Sequence, residues 1–591
     1  MTDRIIDRRH LDFVLYELLA VQDLTAAPRF SEHSRETFSA ALDTAWQIAS
    51  ERYLPCRRLL DDDEPRIEDG RVRLPAPVGE ALRAFAAAGL AAATFDEADG
   101  GMQLPRCVAN ACWALFKGAN VAIETYSTLT IGVANMLHAF GTPAQQQRWL
   151  APLLDGRVFG TMVLTEPQAG SSLADIVSTA TPRADGRYAM KGQKIFITAG
   201  DHELGDNILH LVLARLPDAP AGVKGLSLFL VPKRRDDGSG NDVALAGLIH
   251  KMGCRGTTSA MLNFGERADC IGELLGPPNQ GLACMFRMMN EARINVGLCA
   301  AMLASAGYLH ALAYARERVQ GRVSPEPAAP QVPIARHADV RRMLLAQKCI
   351  AEGGLALCLY GAMLSDRQEV AATAADRDDA QALLDLLTPV IKAWNAHHGT
   401  LANSLAVQVH GGYGYTREYA VEQLLRDNRL NSIHEGTDGI QALDLLGRKV
   451  GAGGGAGLRV LGHEIMQAVA AARALAAAPL ARHADALETA WRDLSDTTRV
   501  LLDALPDRPR VALSHASLYL DAVGHTVIAW LWLAQAVLAW PRRDGEEARF
   551  YRGKLAAAQF FFDHELPKTR TSFELLRRLD TSLVELDEHI L

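Results

Sequence analysis

From Arg4 to about Arg157, apolar residues recur at three- and four-residue spacings in segments such as Phe38–Tyr53, Val78–Ala88 and Ala144–Leu154. That period predicts an N-terminal α-helical domain over residues 1–158, punctuated by turns at Asp99-Gly100-Gly101 and Gly141-Thr142-Pro143. Between Phe159 and Leu275 the pattern changes to short runs rich in β-branched and aromatic residues: Phe159–Thr165, Tyr188–Lys191, Lys194–Thr198, Ile208–Leu213, Leu226–Val231 and Ala260–Phe264. Clusters at Ala184-Asp185-Gly186, Arg235–Asn241 and Gly253–Thr258 separate them, which predicts a middle antiparallel β-sandwich or barrel over residues 159–280. Long helical segments return from Gly281, interrupted by the Pro-rich Ser324–Pro333 and the Gly-rich His410–Tyr415, and predict an α-helical bundle domain over residues 281–450. Gly451–Gly457 reads as a flexible linker, and the Ala/Leu-rich remainder, residues 458–591, as an additional C-terminal helical domain. The fold class expected is α+β multidomain.

Composition narrows what such a chain does. Its 591 residues are 49% hydrophobic and 22% charged, which excludes a disordered or collagen-like polymer. With 61 Lys and Arg against 69 Asp and Glu the net charge is −8, and no run of one sign suggests a nucleic-acid or anionic-membrane partner. The nine cysteines include no CxxC pair, so they read as free thiols in a reducing compartment, with no metal site implied. The N-terminus is charged and has no apolar core of a secretory signal. The most apolar stretch, Val527–Trp540, is shorter than the ~20 residues of a span and contains Gln535, so it is expected as a buried helix rather than an integral membrane segment. A cytoplasmic location is expected.

Three segments carry candidate chemistry. Leu164–Ser172 (LTEPQAGSS) ends a β run in a turn with Pro167 and Gly170, where hydroxyls and backbone N–H groups can bond a heteroaromatic ring or a phosphate. An ordinary β-turn accounts for it equally well. Lys194–Thr198 places Phe196 and Thr198 on one face of a strand, where an aromatic plane beside a hydroxyl suits a flavin and where core packing accounts for Phe196 as readily. In Ile433–Lys449, Glu435 stands beside Gly436 at the mouth of a helix. A general base needs a carboxylate on a tight turn, partly desolvated so that its pKa rises. The competing reading is a carboxylate that satisfies the helix dipole, with Thr437 as the cap.

Taken in order, TEPQAGSS at Thr165–Ser172, KIFIT at Lys194–Thr198, KMGCRGTTS at Lys251–Ser259, RERVQGR at Arg316–Arg322, QVHGGYGYTREYAVEQLLRD at Gln408–Asp427 and HEGTDGIQALDLLGRK at His434–Lys449 resemble the acyl-CoA dehydrogenases. The resemblance covers residues 40–450. The Pro-rich insertion after Arg322 and the helical domain after Gly457 resemble the larger bacterial branch that includes 3-methylmercaptopropionyl-CoA and long-chain acyl-CoA dehydrogenases.

The resemblance implies a bound FAD, with Met162, Leu164 and Thr165 at its pyrimidine side and Phe196 and Thr198 at the other edge of the ring. It assigns Arg318, Gln408, Gly411 and Gly412 to the ADP portion of a neighbouring subunit's flavin, hence a homo-oligomer that is at least a dimer, and Thr437 to the flavin of its own subunit. Glu435 matches the catalytic base, which takes the α-proton of an acyl-CoA while flavin N5 accepts the β-hydride, its own backbone N–H helping to polarise the thioester carbonyl. Ser171, Arg293 and Gly436 match substrate-binding positions; for Arg293 a salt bridge holding its helix is an equal reading. Electrons are expected to pass to electron-transfer flavoprotein, with an acyl-CoA oxidase as the alternative.

Some branches place the base on an earlier helix just before an Arg. Here that place is Ala292, with Glu291 one residue back, making Glu291 the runner-up. A DNA-associated relative is a further alternative, but 16 Lys and Arg against 18 Asp and Glu from Leu458 onward leave no basic face for phosphate contact. Tyr126 and the cluster Met285, Met288 and Met289 are candidates to line the acyl pocket, against a core role.

Overall fold

The computed structural model describes residues 4–591, with the backbone alone at residues 286–289. The chain divides into two compact units, one holding His33–Leu104 and Leu115–Ala292, the other the segment up to Glu32, Pro105–Ala114 and Arg293–Leu591.

In the first unit, helices Arg35–Ile48 and Pro143–Leu154 begin at capping boxes, Ser34 with Thr37 and Thr142 with Gln145. The helix Arg106–Phe140 breaks at Asn120 (φ −162°, ψ 94°) and restarts where the Asn120 side chain accepts from the Ala122 N–H at 3.1 Å. The buried pair Lys117–Glu124, 2.7 Å apart, spans the break. A hairpin of β1 (Arg66–Glu68) and β2 (Arg71–Arg73) adds two short strands, exposed apart from the buried Val72, that the helical periodicity of this region does not announce.

The β region has eight more strands: β3 (Val158–Val163), β4 (Thr179–Pro182), β5 (Tyr188–Thr198), β6 (Asn207–Arg215), β7 (Leu226–Pro232), β8 (Val243–Leu248), β9 (Ser259–Phe264) and β10 (Ile271–Leu275). They run in the order β10-β7-β6-β4-β5-β9-β8, with β3 beside β6 and a further β10–β5 pairing. The sheet is mixed rather than purely antiparallel, because β3 lies parallel to β6 across the β4–β5 crossover. On β6 and β7, Leu209, Leu211, Leu213, Leu228 and Leu230 pack with Val133, Leu137 and Trp149, while Val212, Ala214, Phe229 and Val231 face Ile197, Ala260 and Leu262. Both faces are buried, so these two strands read as continuous apolar runs.

The second unit is helical, and among the described residues of the chain three helices have the length and hydropathy of membrane spans: Asn290–Glu317, Ala338–Val370 and Ala516–Arg542. Their most apolar windows are 72%, 89% and 83% buried inside the fold, as expected of core helices that are hydrophobic all round. Val527–Trp540 falls within the third of these.

Two expectations need correction here. The segment up to Glu32, grouped by periodicity with the first helical domain, belongs with the C-terminal helices: Arg9 bonds Glu547 at 2.7 Å, and the buried Lys554 amine reaches His10 at 2.6 Å and Glu352 at 2.7 Å. The glycine run is no loose linker. Ala452–Gly454 forms a helical turn, the next helix begins at Ala456, and Gly457 packs so closely on the helix Ala374–His410 that a Cβ there would lie 2.6 Å from the Ala382 carbonyl.

Candidate active site

In the first unit, Met162 and Leu164 are half-buried at the end of β3, packed against the hydrophobic core, and Thr165 follows with its carbonyl accepting from the Ile195 N–H at 3.0 Å. The chain then makes a tight turn, Glu166 and Ala169 exchanging backbone hydrogen bonds at 2.9 and 3.0 Å, and Ser171 is exposed beyond it. What fixes this tip is Glu166. Its buried carboxylate accepts from Val177 N–H at 2.9 Å, Ser178 N–H at 3.1 Å, Gln168 at 2.7 Å and the Lys194 amine at 2.9 Å. Burial alone pushes this carboxyl up, but the Lys194 charge and the Ser178 and Val177 hydrogen bonds outweigh it and hold it at about 2. Lys194 also donates to the carbonyls of Leu164 and Leu213, both at 2.9 Å, so its three protons are spent.

Two residues along β5 the ladder slips: Lys194 pairs with Leu262 but Ile197 with Ala260, one extra residue on β5. Phe196 occupies this bulge with φ +60° and is 60% exposed. Core packing is therefore not its role, and the bulge turns its ring and the half-buried Thr198 outward together. A bulky residue held in the left-handed region costs about 1–3 kcal/mol and marks places where surrounding structure over-determines the backbone for a purpose. An exposed aromatic plane beside two threonines, on a rigid tip, fits a flat heteroaromatic group such as a flavin ring.

In the second unit, Glu435 lies three residues before the helix Asp438–Asp444, which Thr437 caps by accepting from the Ile440 N–H at 3.3 Å. The capping reading of Thr437 thus holds, yet Glu435 itself caps nothing. It has φ +52° and Gly436 has φ +81°, two successive left-handed residues. A Cβ at Gly436 would lie 2.7 Å from the Gln441 amide nitrogen and would carry a φ of +81° that L side chains rarely adopt, so glycine suits the position. Gln441, buried in its helix, donates to the carbonyls of Glu435 at 3.0 Å and Gly436 at 3.3 Å.

Glu435 is exposed as a residue, yet the chain crowds its carboxyl enough that desolvation raises its pKa above the ordinary carboxylate value, while the charges of Lys392 and Arg293 pull it back. Both cations are themselves buried and tied down. Lys392 binds Asp438 at 3.1 Å, and Arg293 binds Asp444 at 2.6 Å. The pair with Asp444 is the salt bridge that one of the two readings of Arg293 expects. Glu291, in the other unit, accepts from Asn135 at 3.0 Å.

Arg318, Gln408, Gly411 and Gly412 are all exposed. Gly411, with φ +61°, ends the helix Ala374–His410, and the Arg318 guanidinium lies 5.8 Å from the Tyr413 ring. They form a solvent-facing cationic and glycine-rich corner in the second unit. Tyr126 is fully buried and accepts from the Thr258 N–H at 3.0 Å, and Met285 is part of the core, so both pack rather than line a pocket. Met288 and Met289 lie outside the residues whose side chains are described.

Sequence reasoning missed Glu166, Lys194, Lys392 and Gln441. The available signal was a charged or amide side chain at an inward position of an apolar run, as Lys392 is in Thr388–Trp394.

Compared with known proteins, residues 40–157, 161–266 and 279–450 match the N-terminal, middle and C-terminal domains of acyl-CoA dehydrogenases, and residues 461–587 match an "Acetyl-CoA dehydrogenase C-terminal like" domain. The chain is 36% identical over 559 residues to the 3-methylmercaptopropionyl-CoA dehydrogenase of Ruegeria pomeroyi, covering 94% of each. It is 35% identical over 604 residues to the broad-specificity linear acyl-CoA dehydrogenase FadE5 of Mycobacterium tuberculosis, covering 98% of each. Among solved structures, Caenorhabditis elegans ACDH-11 in complex with C11-CoA shares the fold with a TM-score of 0.77 at 18% identity, over 96% of this chain and 95% of that one.

Proposed function

The chain belongs to the acyl-CoA dehydrogenase family, and we propose that it removes two hydrogens across the Cα–Cβ bond of a saturated acyl-CoA thioester, giving the trans-2-enoyl-CoA, with Glu435 as the base. The observation that carries this reading is the Glu435 turn: a carboxylate on two left-handed residues, its proton affinity raised by desolvation and checked by two anchored cations.

An α-proton beside a thioester is far less acidic than an ordinary carboxylic acid, so the base must bind protons more tightly than usual while staying ionised at working pH. Desolvation supplies the first property. Lys392 and Arg293 supply the second. Because each cation is neutralised by its own aspartate, neither is drawn into direct contact with Glu435, which keeps the carboxylate open to a substrate proton.

Acyl-CoA dehydrogenases use FAD, which when bound supplies the acceptor of the β-hydride. In this chain Met162, Leu164, Thr165, Phe196 and Thr198 would hold its ring, and Thr437 is assigned to it as well. The exposed corner of Arg318, Gln408, Gly411 and Gly412 supports their assignment to the ADP portion of a partner subunit's flavin, hence an enzyme that is at least a dimer. Ser171 and Gly436 are assigned to the substrate. Electron-transfer flavoprotein is the proposed acceptor of the electrons. The nine buried free cysteines support a cytoplasmic setting.

The test is Glu435→Gln. The purified variant should keep a yellow flavin and bind acyl-CoA but lose dye-coupled turnover by roughly 10²–10⁴-fold, because an amide cannot accept the proton. Near-normal turnover, with Glu291→Gln inactive, would move the role to Glu291. Repeating the assay over a chain-length series, first with a dye and then with dioxygen, reports the acyl preference and, through hydrogen peroxide, separates dehydrogenase from oxidase.

A further inference from the structure

A strained turn keeps its shape only where its neighbours hold it, and the neighbours of Glu435 are unusually specific. A residue in the left-handed region without glycine's freedom would relax if either flanking peptide could rotate. The peptide carbonyl of Glu435 sets its ψ, and with it the direction of the side chain relative to the helix that follows. That carbonyl and the next, of Gly436, are both held by one amide nitrogen, Gln441 Nε2, at 3.0 and 3.3 Å. A single NH2 group has two protons, which matches two acceptors.

The post that carries this amide is itself fixed. Gln441 is fully buried, and its helix is pinned at the start by Lys392 on Asp438 and at the end by Arg293 on Asp444. Gly436 leaves the amide its place, since a Cβ would displace it. On the preceding side, His434 faces Asn431 at 3.2 Å, and buried amides continue from Asn431 to Asn428 at 3.0 Å, then to Asn403 at 2.6 Å and the Leu303 carbonyl at 2.9 Å. The turn is held from both ends.

We infer that Gln441 is a positioning residue for the base: its amide locks the two peptide planes of the Glu435–Gly436 turn and so aims the carboxylate, without touching substrate. The inference rests on Glu435 being the base. A leucine of similar size removes both donors and frees the turn, and misplacing a catalytic group by about an ångström costs on the order of 100-fold in rate.

The experiment compares wild type, Gln441→Leu, Gln441→Glu and Glu435→Gln holoenzymes on the saturated straight-chain acyl-CoA that wild type turns over fastest. It reads kcat, KM, flavin content and incorporation of solvent deuterium at the α-carbon. Gln441→Leu should lose roughly 100-fold in kcat and in deuterium incorporation, with KM, flavin content and the acid-limb midpoint of the pH profile unchanged. A purely structural role would lower flavin content and soluble yield together with rate. If Gln441→Leu does not fold, Gln441→Glu decides. It keeps size and polarity but, once ionised, turns oxygens toward two carbonyls, so it should lose exchange in the same way. Wild-type exchange in whichever of these variants folds overturns the proposal. Wild-type exchange in Glu435→Gln instead overturns the assignment of the base, a separate outcome.

Discussion

The candidate residues of the first unit and those of the second share a construction and differ in how it is tuned. In the first unit an exposed left-handed phenylalanine stands beside a buried lysine–carboxylate pair, Lys194–Glu166; in the second an exposed left-handed glutamate stands beside a half-buried one, in which the buried Lys392 meets a partly exposed Asp438. Lys194 spends every proton on internal acceptors, and the acid it serves is pulled down to about 2. Lys392 serves Asp438 but acts through space on a different carboxylate, Glu435, whose pKa is raised nevertheless. A saturated pair makes an anchor, whereas a pair with field left over makes a regulator of a neighbour's proton affinity.

The sharpest way to break this comparison is to cut the anchor. Lys194→Met leaves Glu166 charged and buried without its cation, which should cost about 3–5 kcal/mol and lower the thermal midpoint of unfolding. Lys194→Met with Glu166→Leu should recover much of that loss, since a buried pair replaced by apolar groups is often nearly neutral. The pH signature has a definite sign. With a folded-state value of about 2 against an ordinary 4.5, the Glu166 carboxylate adds stability above about pH 4.5 and loses it as pH falls toward 2. Denaturant melts between pH 5 and 2 should show a steeper loss of stability in wild type than in the double variant, the difference being the Glu166 contribution.

The corresponding cut in the second unit should act on rate before stability. Lys392→Met removes the largest charge holding the Glu435 pKa back, so that pKa rises further. Glu435 must be ionised to accept a proton, so activity falls as pH drops through its pKa, and the acid limb of the kcat profile should move to higher pH. Turnover well above that limb reports separately the loss of the Asp438 tether. A limb that stays in place would mean that Lys392 matters only as the tether of Asp438.

Much of this was legible along the chain, and what escaped has a common physical origin. Strands β6, β7 and β9 announce themselves because their inward residues are aliphatic, whereas β4, with Pro182, and β8, half-exposed with Gly247, have no pattern to read. Tyr188–Lys191 and Lys194–Thr198 read as two runs because Gly192 and Gln193 interrupt the apolar character, though the backbone continues through them as β5. Glu435 and Gly436 were visible because a local turn is encoded locally. Gln441, Lys392 and the partners of Lys194 were not, since their role depends on acceptors that only the fold brings within 3 Å or so. The N-terminal arm shows the same limit: the helical period of residues 4–32 is correct, but its partners His10–Lys554 and Arg9–Glu547 lie more than 500 positions away.

The smallest effect expected is at the platform itself, and there stability and binding should move in opposite directions. Phe196 is in a conformation that glycine adopts freely, so Phe196→Gly relieves strain of about 1 kcal/mol, offset in part by the entropy of a more flexible unfolded chain. Since 60% of the residue is exposed, little core packing is lost with the ring. Apoprotein stability should therefore stay within about 1 kcal/mol of wild type or rise slightly. Flavin retention on gel filtration should fall, because the aromatic plane proposed to face it is gone. Phe196→Trp should retain flavin while keeping the strain. If Phe196→Gly holds flavin as tightly as wild type, the bulge serves only the sheet, and the likeness between the two halves ends at their backbones.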